Sequence, residues 1–270
     1  MPEVQFVELS NGQKLAWREW GTGSPLIMLH GWSMSSIVFA EVAEALAGDF
    51  RLLCPDLPGH GQSDPSSSSD FRSFANAISE WASKIDVGSV DLLGWSLGGQ
   101  VAMQIAADHL LLLRKLLLIA TTPRFCQADN WSNGLLETQV RALDRNMGRA
   151  YEKTLGDFFV LQFVGEQMSK ERYRKILQFA VRSGRLPEPD VARAALQALG
   201  NGDQRELLKK IHQPVLVMHG ELDQIIPLAA GEYLCQQLPN AQFSRIPGVG
   251  HAPFFSSLKL CVEQWRNFLQ

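Results

Sequence analysis

Cysteine is scarce and scattered in this 270-residue chain: Cys54, Cys126, Cys235 and Cys261 include no Cys-x-x-Cys pair. That excludes a small disulfide-stapled scaffold. Long hydrophobic runs are missing too. The longest apolar tract, Leu110 to Leu113 with Leu116 to Ala120, is broken by Arg114 and Lys115 and falls short of a membrane span. It reads as a helix end followed by a buried strand. Basic excess is also absent: 25 Lys and Arg face 28 Asp and Glu, net −3, so nothing draws the whole molecule onto nucleic acid or anionic lipid. Met1 to Ser10 lack the basic-then-apolar pattern of a signal peptide. The expectation is a cytoplasmic protein with reduced thiols, no nucleic-acid partner and no membrane association.

The content of the chain is that of a folded protein. Hydrophobic residues make up 46% and charged ones 20%, which argues against disorder and a coiled coil, and the length suits one large domain or a domain carrying an insertion. The low-complexity stretch Ser66–Ser69, after Pro65, reads as a surface loop. Short aliphatic runs alternate with helix-length segments. The strand candidates are Val4–Leu9, Lys14–Trp20, Leu26–His30, Arg51–Pro55, Val90–Gly94, Lys115–Ala120, Val215–His219 and Gln242–Ile246. The helix candidates are Ile37–Ala47, Phe71–Ile85, Leu97–Asp108, Leu228–Gln237 and Ser257–Leu269. Asn11-Gly12 joins the first two strands as a hairpin; the later strands need crossover helices and so run parallel. This predicts an α/β fold, a mostly parallel eight-stranded sheet with an antiparallel edge.

From Pro123 to about Gly200 the alternation stops and helix follows helix. An inserted helical lid over 123–200, on a core of 1–122 and 201–270, fits that pattern. The insertion carries 12 Lys and Arg against 9 Asp and Glu, net +3, while the rest of the chain is net −6.

Gly94-Trp95-Ser96-Leu97-Gly98-Gly99 stands between a strand-like and a helix-like segment. A nucleophilic serine needs its hydroxyl exposed at a tight strand-to-helix turn, and glycines two positions either side allow the close approach that such a turn requires. A glycine-rich helix start that binds phosphate is the other reading. Serine also needs a histidine to accept its proton and a carboxylate to hold that imidazole. The loop after Val215–His219 offers Asp223, and the Gly/Pro-rich loop after the last strand offers His251. Glu221 is the rival acid; the order nucleophile, acid, base favours Asp223. His219, inside a buried run, reads as a core histidine. The oxyanion of acyl transfer needs two amide donors, expected from Leu97, after the serine, and Trp32, in the loop after the third strand. The Trp32 indole is a candidate wall of an acyl pocket, with Trp95 opposite; core packing is the alternative for both.

His30-Gly31-Trp32, Asp56-Leu57-Pro58-Gly59-His60-Gly61-Gln62-Ser63, the Ser96 turn, the Asp223 loop and His251 together resemble the α/β-hydrolase superfamily. The resemblance runs from about Leu26 to Gln270, apart from the insertion. Within it, Gly-Trp-Ser-Leu-Gly-Gly paired with His-Gly-Trp and with His251-Ala252-Pro253-Phe254 is similar to the pimeloyl-acyl-carrier-protein methyl ester esterases of biotin synthesis. That likeness implies a cytoplasmic carboxylesterase acting on a pimeloyl chain held by an acidic carrier protein. Arg141, Arg145, Arg149 and Lys153 recur every four residues, a helical stripe suited to such a partner; a solvated face with Asp144 and Glu152 interleaved is the plain reading. Lys170, Arg172, Arg174 and Lys175 add to the basic character. Phe158 and Phe163 are candidates to line an acyl tunnel, with Phe159 and Phe179 nearby, or to pack the lid onto the sheet. The expected enzyme is a monomer that uses no metal and no organic cofactor. An enol-lactonase, a C–C bond hydrolase, a cofactor-free lyase of menaquinone synthesis and a non-catalytic ligand receptor are the alternatives on this scaffold.

Overall fold

The computed structural model describes residues 1–182 and 184–270. Eight strands form one sheet: β1 (Gln5–Glu8), β2 (Lys14–Trp20), β3 (Ser24–Leu29), β4 (Phe50–Pro55), β5 (Val90–Trp95), β6 (Leu113–Ile119), β7 (Val215–Gly220) and β8 (Ala241–Ile246). Their spatial order is β1-β2-β4-β3-β5-β6-β7-β8. The β1–β2 and β2–β4 pairings are antiparallel and all the others parallel. The expected antiparallel edge is therefore there, and Lys14–Trp20 coincides with the expected strand. His30 lies just past β3 rather than inside it.

The helices are α1 (Ala40–Leu46), α2 (Phe71–Lys84), α3 (Leu97–Ala107), α4 (Glu137–Met147), α5 (Tyr151–Leu161), α6 (Lys170–Ile176), α7 (Pro189–Asn201), α8 (Leu228–Gln237), the single turn α9 (Pro253–Ser256) and α10 (Leu258–Leu269). A 3₁₀ turn over Ser36–Phe39 precedes α1, and Leu177–Arg182 continues α6 as a π-helical turn. None of the helices of the described residues is long and apolar enough to cross a membrane.

Strand residues alternate between two faces, and each face has its own core. Ile27, Leu29 and Leu92 pack with Trp81 of α2 and Val101 of α3. Leu26, Met28, Leu93 and Trp95 pack with Val42 of α1 and Trp265 of α10. A parallel strand buried on both faces must be apolar at almost every position; β5 and β7 are buried throughout and apolar except at Asp91, which pairs with Arg114, and His219. The chain leaves β3 for β4 on one side and returns to β5 on the other. The loops after β3 and β5 thus flank the point where the winding reverses, the place where an open α/β sheet forms a crevice.

Among the described residues the chain between β6 and β7 contributes no strand to the sheet; it forms α4 to α7, the π-helical turn, a 3₁₀ turn over Arg205–Lys210, short turns and isolated bridges. Its two ends are stitched together: Gln204 N–H donates to the Pro123 carbonyl at 2.8 Å, and Arg124 pairs with Asp203 at 2.5 Å. The Arg205 and Arg124 guanidiniums outweigh burial and hold the Asp203 carboxyl well below the usual carboxylate range.

Candidate active site

Ser96 sits between β5 and α3 at φ 55° and ψ −118°, a left-handed backbone that a non-glycine residue adopts only when its surroundings impose it. They do so here through the flanking glycines. A Cβ on Gly98 would run into the Leu29 carbonyl oxygen, and one on Gly94 into that of Gly98. Ser96 N–H donates to Ile119 at 3.0 Å and its carbonyl accepts from Thr121 Oγ1 at 2.7 Å. The side chain is pushed away from the turn toward the crevice.

Ser96, Asp223 and His251 come together although 127 and 28 residues separate them along the chain. Ser96 Oγ lies 3.0 Å from His251 Nε2, and His251 Nδ1 lies 2.8 Å from Asp223 Oδ2. Asp223 Oδ1 accepts from Ile225 N–H at 2.8 Å and Ile226 N–H at 2.9 Å. Burial works to raise the Asp223 carboxyl; the facing His251 and hydrogen bonds from His219 and His251 outweigh it, leaving the group far below its ordinary value. A carboxylate so held remains charged and can accept from Nδ1–H, which leaves the Nε2 lone pair toward Ser96. Glu221, the rival acid, points elsewhere: it pairs with Arg245 and accepts from Gly248 N–H at 3.1 Å.

Gly31 brings the loop after β3 against the serine, for a Cβ on Gly31 would stand 3.3 Å from Ser96 Cβ. Trp32 follows directly, and Leu97 is the first residue of α3, where an amide has no carbonyl one turn back to bond. His30 braces this loop: Nδ1–H donates to the Gly31 carbonyl at 2.8 Å and Nε2 accepts from Leu57 N–H at 2.9 Å. That pattern belongs to a neutral imidazole, and burial lowers its affinity for a second proton.

The four aromatic pocket candidates fall into two groups. Trp32 packs edge-on against Phe158 with ring centroids 4.9 Å apart, and its indole N–H donates to the Ala192 carbonyl of α7. Trp95 and Phe163 lie in the other core, both against Phe255. Trp95 is 1% exposed and its indole N–H donates to the His251 carbonyl at 2.9 Å. It therefore does not stand across a pocket from Trp32: as a β5 residue two places on from Leu93, it points to the face covered by α9 and α10. Beside Phe158 a cavity of about 400 Å³ opens between α4, α5 and the acid loop, lined by apolar residues such as Leu143, Leu161 and Ile225 and by the polar Gln139, Asn146, Thr154 and Asp157.

The basic stripe is not one helix face. Arg141 and Arg145 are on α4, Arg149 in the turn and Lys153 on α5, because the chain leaves helical geometry at Ala150, φ −151° and ψ 68°, just after Gly148. All four remain exposed. Arg141 pairs with Glu137 and Lys153 with Asp157 along their own helices, while Asp144 turns to Arg193 of α7 at 2.8 Å. Arg172 and Lys175 are committed to Glu41 of α1.

Several residues at the site carry no sequence signal. His219 Nε2 lies 2.9 Å from the Ile226 carbonyl and 3.2 Å from Asp223 Oδ2, so the core histidine is in fact a neighbour of the acid. Gln162 and Glu166, from the insertion, bond the backbone beside His251.

A sequence profile of the alpha/beta hydrolase fold matches residues 24–258. The chain belongs to the α/β-hydrolase family. Among curated α/β-hydrolase relatives, the pimeloyl-[acyl-carrier protein] methyl ester esterase of Nitrosomonas europaea is 36% identical over 236 residues, covering 87% of this chain and 92% of that protein. Among solved α/β-hydrolase structures, an esterase from Exiguobacterium antarcticum superposes with a TM-score of 0.91 at 25% identity, covering 99% of both chains. The enol-lactonase of Burkholderia xenovorans reaches a TM-score of 0.85 over 98% of this chain and 99% of its own, at 18% identity, a likeness of fold alone.

Proposed function

We propose that this α/β-hydrolase is a serine carboxylesterase with Ser96 as nucleophile, His251 as base and Asp223 as its orienting acid. The observation that carries the reading is the unbroken relay from Asp223 through His251 to Ser96 at 2.8 and 3.0 Å. Ser96 Oγ attacks the ester carbonyl carbon as His251 Nε2 takes its proton. The oxyanion forms between the amides of Trp32 and Leu97, where the α3 dipole also favours negative charge. Collapse of this intermediate breaks the bond to the alkoxy oxygen, which leaves as the alcohol with the proton from His251. Water then attacks the acyl-enzyme, His251 again takes and returns the proton, and the carboxylic acid departs from regenerated Ser96.

The substrate reading is the methyl ester of a pimeloyl chain on acyl-carrier protein, as in biotin synthesis, within the cytoplasm. The name and 36% identity of the Nitrosomonas europaea relative support it. So does the largely apolar cavity beside Phe158, which suits an acyl chain with a polar end, with Arg145 and Arg149 exposed on the insertion to meet an acidic carrier. The acyl chain would lie against Trp32 and Phe158, leaving Trp95 and Phe163 to support the base from behind.

The test is hydrolysis of methyl-pimeloyl carrier protein beside a free short-chain methyl ester, across a salt series, for the wild type, S96A and R145E/R149E. The expected result is a salt-sensitive preference for the carrier-bound ester, weakened in the double variant and abolished in S96A. Equal, salt-indifferent turnover of both esters would make the chain a general carboxylesterase.

A further inference from the structure

The helical insertion reaches the base directly. Beyond α5 the Gln162 carbonyl accepts from His251 N–H at 2.9 Å. Four residues on, Glu166 Oε1 accepts from Gly250 N–H at 2.6 Å and Oε2 accepts the Ser256 hydroxyl. From the opposite side Trp95, next to the serine, holds the His251 carbonyl. Both backbone polar groups of His251 are thus taken, one by the insertion and one by the nucleophile's own strand. Gly250 is where these contacts converge: a Cβ there would collide with the Gln162 carbonyl oxygen and stand 3.0 Å from Glu166 Oε1. Burial raises the Glu166 carboxyl, against the pull of its hydrogen bonds with Ser256 and Gly250. A group desolvated in this way depends on its partners to stay in place.

A base on a Gly/Pro-rich loop has no regular ladder to set its backbone, yet Nε2 must stay within hydrogen-bond reach of the hydroxyl it deprotonates. Asp223 fixes the ring; the contacts from the insertion fix the backbone beneath it. We propose that Glu166 is a positioning residue that couples the seating of the helical insertion to the placement of His251 against Ser96. It acts through Gly250 and Ser256 and touches no reacting atom. The inference rests on the reading of Ser96 and His251 as the reacting pair.

The experiment compares E166A, E166Q and S256A with wild type on p-nitrophenyl acetate, an ester too small to need the insertion cavity, with S96A alongside. E166A is expected to lower kcat about tenfold to hundredfold, since small misplacements of a catalytic group are costly. KM should stay within about twofold, the signature of lost transition-state rather than ground-state interaction. E166Q can accept from Gly250 N–H and meet Ser256 through its amide, and should recover most of kcat. The low-field His251 Nδ1–H resonance should shift or broaden in E166A and return in E166Q. Wild-type kcat in E166A, or equal losses in E166A and E166Q, would overturn the coupling while an inactive S96A left the serine reading intact; an active S96A would overturn both. Should E166A not fold, S256A decides: lower kcat at unchanged KM supports the coupling and wild-type kcat overturns it.

Discussion

Around Ser96 the loops are held by backbone amides, carbonyls and fully buried side chains, whereas the helices between β6 and β7 add to their buried apolar contacts a set of arginine–carboxylate pairs that solvent reaches. Asp223 and His251 are 7% and 1% exposed and bonded on almost every polar atom. Arg172 and Glu41, the main pair between the insertion and α1, keep 26% and 17% of their side-chain surface. Buried networks of the first kind give fixed geometry and are intolerant of loss. Partly exposed pairs contribute less and respond to salt. Under the proposed function, the contrast suits rigid chemistry beneath helices that accommodate a substrate.

The largest expected effect tests the rigid half. D223N should lower kcat about 10⁴-fold, because an amide facing His251 Nδ1 favours the wrong imidazole tautomer, as in the serine-protease template; steady-state kinetics on any turned-over ester would measure it, and a loss below about tenfold would mean the acid is not where the geometry puts it. His60 supplies the next test. Burial, with His30 beside it, lowers its pKa from 6.5 to about 3, so the folded state binds fewer protons than the unfolded chain between those values. Its stabilising contribution is full above about pH 6.5 and lost as pH falls toward 3, with a slope of at most about 1.4 kcal/mol per pH unit for one proton. Urea midpoints at pH 7 and pH 5 should therefore differ less for H60Q than for wild type. The smallest effect tests the insertion. R172A removes the bidentate pair to Glu41 and two hydrogen bonds to the Phe255 carbonyl, and should cost about 1–2 kcal/mol, read as a fall in Tm of a few degrees. The wild-type Tm should approach that of R172A as salt rises; a salt-independent difference would erase the contrast between the two regions.

The elbow at Ser96 was legible because its determinants are neighbours: a buried strand, glycines two residues away on each side, and an apolar helix start. Asp223 and His251 were legible through their order along the chain and their position after strands. The basic stripe misled, since a four-residue repeat carries no notice that Gly148 and Ala150 break the helix it assumes. Trp95 misled for another reason: a strand residue beside a nucleophile points to one face or the other according to what packs there, here Phe254 and Phe255.

What the amino-acid sequence determined alone is what short-range physics decides: the alternation of strands and helices, the antiparallel start, the turn that strains Ser96, and the candidate residues for acyl transfer. The tertiary structure decided which distant groups meet. Glu166 and Gly250 are 84 residues apart, and Trp32 and Ala192 are 160. Periodicity and turn chemistry act over a few residues, but a hydrogen bond across such a span exists only once the whole core has packed and brought both partners out of water together.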